Sequence, residues 1–334
     1  VVARVREILR QPEAVFWTFL FPVLMSVALG VAFRGERPDP ASVVVVEGPG
    51  ASLLEAALRA DNGVKVRRAG REAAEAGLRT GKAAILVVPG DPLTYRFDPT
   101  RPESHLARLR VDAALQRAAG RVDPVPVREE PVTEPGSRYI DFLVPGLLGM
   151  NLMGGGLWGI GWTIVEMRIR KLLKLQLATP MRRGDFLLSH ALVRVLFVPL
   201  EVVPLLLLSR LLFDVRVAGS YGALALVSLL GAVSFAGLGT LIASRARSTG
   251  AISGLINLCS LPMFVLSGVF FSTSRFPEAL QPWIRVLPLT ALNDALRGLM
   301  VDGAVLSALG APLLILAAWG AASFLVALRV FRWT

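Results

Sequence analysis

The sequence predicts an α-helical polytopic membrane protein of six transmembrane helices, preceded by an N-terminal elbow helix and carrying a small inserted α/β domain. Three observations lead there. Of the 334 residues, 54% are hydrophobic and 18% charged, and the mean hydropathy is +0.58; a soluble domain carries roughly 25% charge. Six apolar segments, near 14–33, 142–163, 190–213, 221–243, 249–271 and 305–327, approach or exceed the ~20 residues that a helix needs to cross a bilayer. Between the first and second lies a polar insert, 34–138, with 17 Lys or Arg against 15 Asp or Glu.

The elements follow in order. Residues 1–13 carry Arg4, Arg6 and Arg10 ahead of the first span, 14–33. The chain opens Val1-Val2, so a few residues are expected to precede it. No signal-peptide cleavage is expected, because the first apolar segment is long and lacks a small-residue cleavage pattern. In the insert, "SVVVVEG", "VKVRRAG", "AAILVVPGD" and "LTYRFDP" read as strands. "SLLEAALRADNG", "REAAEAGLRTGK" and "ESHLARLRVDAALQRAAG" read as helices. Alternation of this kind implies a small sheet covered by helices. The Pro-rich "VDPVPVREEPVTEPGS" reads as an extended tether back to the membrane, and residues 139–334 hold the remaining five spans.

The net charge of +11 is compatible with nucleic acid, but the excess flanks apolar runs, which is the pattern of charge retained on the cytoplasmic side. Six spans place the N-terminus, the 164–189 loop, the 244–248 loop and the C-terminus on one side, with Arg4, Arg6, Arg10, Arg245, Arg247, Arg329 and Arg332 and six more basic residues in the long loop. That side is read as cytoplasmic, in a cell membrane, and the insert as extracytoplasmic. Cys259 is alone, and His105 and His190 are the only histidines, so a site of several His or Cys ligands is excluded. Gly81-Lys82 lacks the Walker A partners, since Ala76 and Ala83 stand where Gly and Ser or Thr belong. No zincin helix, nucleophile elbow or catalytic carboxylate pair is visible. No catalytic residue, metal or cofactor is expected in this chain, and a membrane-embedded enzyme is disfavoured.

Polar residues inside spans are functional candidates. Glu201 lies between Pro199 and Pro204, both expected to interrupt the helical ladder. Two roles stay open for it: contact with a polar substrate or proton, and a carboxylate held by a neighbouring helix or neutralised by burial. Asn151 and Asn257 are pathway candidates or interhelical hydrogen-bonding groups. Gly155-x-x-x-Gly159 and Gly250-x-x-x-Gly254 are expected to permit close helix approach.

Two segments remain. In "MRIRKLLKLQLATPMRRGDFLLS", 167–189, Ile169, Leu172, Leu173 and Leu177 follow helical spacing while Arg170, Lys171 and Lys174 take the other side. Glu166 precedes Arg170 by four residues, a favourable pairing. This amphipathic helix suits a bed of anionic headgroups or a cytoplasmic partner. Near the outer face, about 274–300, Phe276, Leu280, Trp283, Ile284 and Leu287 suggest one short amphipathic helix. Thr290 is expected to open a second, running through Met300, with Pro288 between the two. Both are too short to span and read as re-entrant or interfacial, with Asn293, Asp294 and Arg297 either holding them together or meeting substrate at an outer gate.

Glu166 followed by "LATPMRRGDFLLS" resembles the coupling region of type-2 ABC transporter permeases, approximately E-x-x-x-x-T-x-x-x-L-x-x-T-P, keeping Glu166 and the Leu177-Ala178-Thr179-Pro180 end and departing at Lys171, where a small polar residue is common. "VREILRQPEAVFWTFLFPVLMSVALGVAF" is similar to that family's elbow helix and first span, and "LSGVFFSTSRFPEALQPWIRVLPLTALNDALRGLM" to its link between the fifth and sixth spans. The insert matches the ABC-2 subgroup with an extracytoplasmic domain. The resemblance implies a permease subunit of an ABC exporter, paired with a second, identical or paralogous permease. ATP and Mg would be bound by separate ATPase subunits. Glu166, Arg170, Lys171, Lys174, Thr179, Pro180, Arg182 and Arg183 would then face the ATPase, and Arg4, Arg6 and Arg10 the ATPase or phospholipid headgroups. The apolar spans suggest a hydrophobic or amphipathic cargo such as a drug or lipid. The alternative is a non-transporting receptor or scaffold whose outer domain binds a ligand and whose basic loop recruits a cytoplasmic partner.

Overall fold

The computed structural model describes residues 16, 20–32, 40–122, 127–128, 136, 138–177 and 183–331. The chain forms two compact units, Gly35–Pro131 and a helical unit made of Val1–Arg34 with Val132–Thr334. The elbow helix expected over 1–13 and the start of the first span lie outside the described residues.

In the inserted unit, β1 (Ala41–Val46), α2 (Ala51–Arg59), β2 (Val64–Ala69), α3 (Arg71–Arg79), β3 (Ile85–Val88), β4 (Thr94–Phe97) and α4 (Pro102–Ala118) follow the alternation of the sequence. The sheet order is β2-β1-β3-β4, with β1 parallel to β2 and β3, and β4 antiparallel to β3. Val43 and Val45 of β1 pack with Leu58 and Val111 from α2 and α4, whereas Val44 and Val46 pack with Ala74 of α3. A strand buried on both faces has no polar positions to alternate with, which is why it reads as an uninterrupted valine run. On the surface, Glu75 accepts from Arg71 and Arg96 (3.4 and 2.6 Å), and these contacts hold its carboxyl below the usual range.

In the helical unit the described part of the expected first span is a shorter apolar helix, α1, Phe21–Ala32. Among the described residues, five helical stretches are long and apolar enough to cross a membrane: Tyr139–Ile169, Leu192–Phe213, Tyr221–Ala243, Thr249–Leu266 and Leu306–Val330. The first comprises α5 (Tyr139–Gly154), a π-helical segment (Gly155–Trp162) and α6 (Thr163–Ile169). After it come α7 (Leu172–Leu177), α8 (Arg183–Phe213), α9 (Tyr221–Ala243) and α10 (Thr249–Leu266). The segment expected at the outer face has two 3-10 turns, Thr273–Arg275 and Glu278–Leu280, then α11 (Gln281–Val286) and α12 (Pro288–Met300), and α13 (Gly310–Val330) closes the unit.

Several expectations need correction. The third apolar segment stays helical through Pro199 and Pro204, each of which removes one ladder bond by lacking an N–H without ending the helix. The fifth stops at Leu266, five residues early, because Gly268 turns left-handed at φ 70°. The second short outer helix starts at Pro288 and not Thr290, which uses the fitness of proline for a first helical turn.

Helix α9 is the centre of the unit, packing against the π-helical segment, α8, α12 and α13. Its contacts are made by glycines other than those the spacing suggested. A Cβ on Gly239 would overlap the Gly156 carbonyl, one on Gly156 would meet Phe235, and one on Gly237 would sit 3.0 Å from the Gly320 carbonyl. Gly159, Gly250 and Gly254 have open space around them within this chain. Small residues let backbones approach only where they face a neighbour. Gly156→Leu and Gly239→Leu should each cost about 1–3 kcal/mol by overpacking, while Gly159→Leu should be near neutral. Thermal unfolding of the three purified variants in one detergent checks the contrast.

Candidate functional site

Residue spacing alone puts Glu166 and Arg170 one turn apart, and they pair at 2.6 Å on an exposed edge of α6. The helix then stops. Arg170 closes the last turn and Lys171 adopts φ 60°, a left-handed conformation uncommon for a residue with a side chain. This corrects the continuous amphipathic helix expected across 169–177: Ile169 belongs to α6 and Leu172–Leu177 to α7. Of the leucines, Leu173 is buried while Leu172 and Leu175 are exposed. Thr179, Pro180 and Arg182 lie outside the described residues, as do Arg4, Arg6 and Arg10 and the side chains of Lys174 and Arg183.

The residue that ties this region to the bundle is one that spacing did not single out. Arg168 donates through Nη1 to the carbonyls of Ala243 (2.7 Å) and Ala246, and through Nη2 to that of Ser244 (3.1 Å). Its guanidinium lies 5.3 Å over the Phe331 ring. The last four carbonyls of a helix have no partner within it, and a cation there also meets the negative end of the helix dipole. Arg168 thus caps α9 from another helix. Among six basic residues of one loop, its signal was its place on the apolar side, next to the buried Met167.

Inside the bundle, Glu201 is paired with Arg194, seven residues earlier on the same face of the same helix. Arg194 Nη1 donates to Oε1 and Nη2 to Oε2 (2.7 Å), with side chains 5% and 1% exposed. The guanidinium also donates to the Leu152 carbonyl (3.1 Å) and fills the space over Gly155, where any Cβ would overlap it. Two charges in a low-dielectric interior are tolerated only when paired and hydrogen-bonded. The pair therefore anchors α8 to the start of the π-helical segment, a helix type often found at functional positions. Asn151 is buried beside Leu152, whereas Asn257 is on the exposed side of α10. The expectation that a neighbouring helix holds Glu201 missed Arg194, seven residues earlier, because i,i+7 pairing needs both side chains to lean together over two turns.

Near the other end of these helices, Asn293 Nδ2 donates to the Ser267 carbonyl (2.8 Å) and Arg297 to those of Gly268 and Phe142, the last at 3.4 Å. The Arg297 guanidinium stacks 3.8 Å from the Phe142 ring centre, and Tyr139 Oη donates to Phe270 O (2.9 Å). Asn293 and Arg297 therefore bind α12 to the end of α10 and to α5, while Asp294 is exposed on an otherwise buried helix. Helix α11 is held separately, by Trp319 Nε1 donating to Val286 O (2.8 Å). Arg138 clasps Asp141 (2.8 and 2.9 Å) and donates to the Phe213 carbonyl at the end of α8 (2.8 Å). Just beyond, Asp214 is left-handed at φ 52°, and Arg216 first, with Arg210 and Arg138, keeps its carboxyl below the usual range.

Removing either member of the buried pair leaves the other unpaired. Glu201→Leu and Arg194→Leu should each destabilise by on the order of 3–5 kcal/mol, and the double Arg194→Leu, Glu201→Leu variant by much less than their sum. Unfolding midpoints in a fixed detergent across this double-mutant cycle check it, and additive losses would show that the two residues act independently.

The comparisons with known proteins agree with one another. Nodulation protein J of Rhizobium meliloti (strain 1021) is 26% identical over 220 residues, 66% of this chain and 74% of that protein. The family model described as ABC-2 family transporter protein matches residues 13–329. That match begins ahead of α1, takes in the inserted α/β unit and ends inside α13, and the chain therefore belongs to the ABC-2 family of transporter proteins, as a multi-pass membrane permease.

Proposed function

We propose that the chain is the permease subunit of an ATP-driven exporter, and that a separate ATP-binding subunit, carrying ATP and Mg, docks on the 164–189 region. The observation that carries this reading is the exposed basic turn at the end of the second-span helix. Glu166, Arg170 and Lys171 present charge outward there, in a chain of the ABC-2 family. A left-handed turn followed by a six-residue helix gives a partner a short lever to push. Displacement of such a lever by nucleotide biases a two-state pathway only as far as the partner binds one state better than the other.

The same reading places six spans and an elbow helix in the membrane, both termini in the cytoplasm and 34–138 outside, by the excess of basic residues on one side. A second permease, identical or paralogous, completes the pathway, and the cargo is hydrophobic or amphipathic. Support for the cargo is the outward face of α8, where Leu192, Leu196, Leu200, Val203, Leu207 and Leu211 are all exposed apolar groups. In a membrane such a stripe meets lipid or a similarly apolar partner.

Co-expression with neighbouring genes and gentle detergent extraction should recover a stoichiometric ATPase with a Walker motif, lost in a Lys171→Glu, Lys174→Glu double variant or in Thr179→Arg. A kinase or regulator bound through the same residues, with no ATPase, would favour the receptor or scaffold reading. Topology has its own check. Single cysteines placed between residues 40 and 130 should react with an impermeant maleimide in intact cells, and reaction only after permeabilisation would invert the orientation.

A further inference from the structure

Arg168 stands three residues before the left-handed turn at Lys171 and holds three parts of the bundle together. The Ala243 and Ser244 carbonyls belong to the end of α9, the Ala246 carbonyl to the short connection into α10, and the Phe331 ring to the end of α13. Ala243, Ser244, Ala246 and Phe331 are all buried. The connection has little slack, since Ser248 already caps α10 by accepting from the Ala251 N–H (3.2 Å). By contrast, Glu166 and Arg170 satisfy each other at the surface and touch none of these groups. The end of α9, the connection into α10 and the end of α13 therefore share one guanidinium of α6.

We propose that Arg168 is the positioning residue that makes displacement of α7 reach α9, α10 and α13 together. The proposal rests on the permease reading, because the displacement is supplied by the docked ATPase. Its physical basis is the clamp itself and its closeness to the left-handed turn at Lys171. Three carbonyls and an aromatic face fix the planar guanidinium on several sides at once, a geometry that a lysine ammonium, as a point charge on a flexible stem, does not reproduce. The turn at Lys171, three residues on, joins α7 directly to the clamped end of α6. Motion that passes the turn arrives at a block whose members can only move as one.

A purely stabilising cap and a transmitting joint differ in one measurable respect, the response to nucleotide. Hydrogen exchange is followed by mass spectrometry on the complete complex of permease and ATPase in nanodiscs, without nucleotide and with ATP plus vanadate. In the parent, protection should change at 170–177, 243–248 and 328–331 together. In Arg168→Lys and Arg168→Gln, the nucleotide-dependent change should persist at 170–177 and disappear at 243–248 and 328–331, while ATP hydrolysis continues. Phe331→Leu, which leaves the three carbonyl bonds in place, should lose the response at 328–331 alone; it keeps the test open if an Arg168 variant does not assemble. Variants that exchange faster in both states but keep the nucleotide-dependent difference at 243–248 would overturn the proposal and leave Arg168 a cap only. A parent chain that recruits no ATPase would overturn the permease reading itself, a result separate from the behaviour of any Arg168 variant.

Discussion

A helix that ends within or near a bilayer leaves carbonyls with no intrahelical partner and little water to replace it, and in lipid each unsatisfied group costs several kcal/mol. In this chain three successive spans solve that problem in one way. The end of α8 is taken by Arg138, the end of α9 by Arg168, and the turn after α10 by Arg297 with Asn293. Each arginine comes from a different segment than the helix it caps. Arg138 precedes α5 and Arg168 sits on α6, so the second-span helix holds a neighbour at each of its ends. Arg297, from α12, also bonds back to Phe142 of α5. Local satisfaction of backbone groups has thereby become the long-range wiring of the bundle.

The middle of the same helix is held by different means. The π-helical segment presents Gly156 to α9, where backbones meet too closely for a side chain, and just before it the Leu152 carbonyl takes a bond from the Arg194–Glu201 pair. One helix is therefore fixed at both ends by arginine caps and in the middle by glycine contact and a buried ion pair. Against that background the left-handed turn at Lys171 is a boundary. Before it the chain is fixed to several elements; after it, in α7, Leu173 alone of the described side chains is buried.

The inserted α/β unit solves a more ordinary problem. Its sheet buries β1 on both faces between helices, and its charges pair at the surface, as Glu75 does with Arg71 and Arg96. Nothing in its core calls for a membrane. The near balance of acidic and basic residues in this stretch, against the basic excess elsewhere, follows from that difference of environment.

What the sequence by itself determined is what depends on local pattern. Apolar runs long enough to span, the alternation that builds the small sheet, the Glu166–Arg170 pairing and the position of the short outer helices are all carried by spacing within a few residues. The tertiary structure decided what depends on which side chain meets which distant backbone. Of the glycines whose spacing suggested packing, Gly155 does face a neighbour, the Arg194 guanidinium, but Gly159, Gly250 and Gly254 face open space within this chain, and Gly156, Gly237 and Gly239 make the close backbone contacts of α9. The basic stretch reads as one amphipathic helix because leucines recur at helical intervals, and it breaks at Lys171 where the structure turns the chain. Glu201 was visible as a buried charge, but its partner and the role of Arg168 were not, since carbonyl groups are the same at every position of a sequence and only the fold shows which of them are left to be capped.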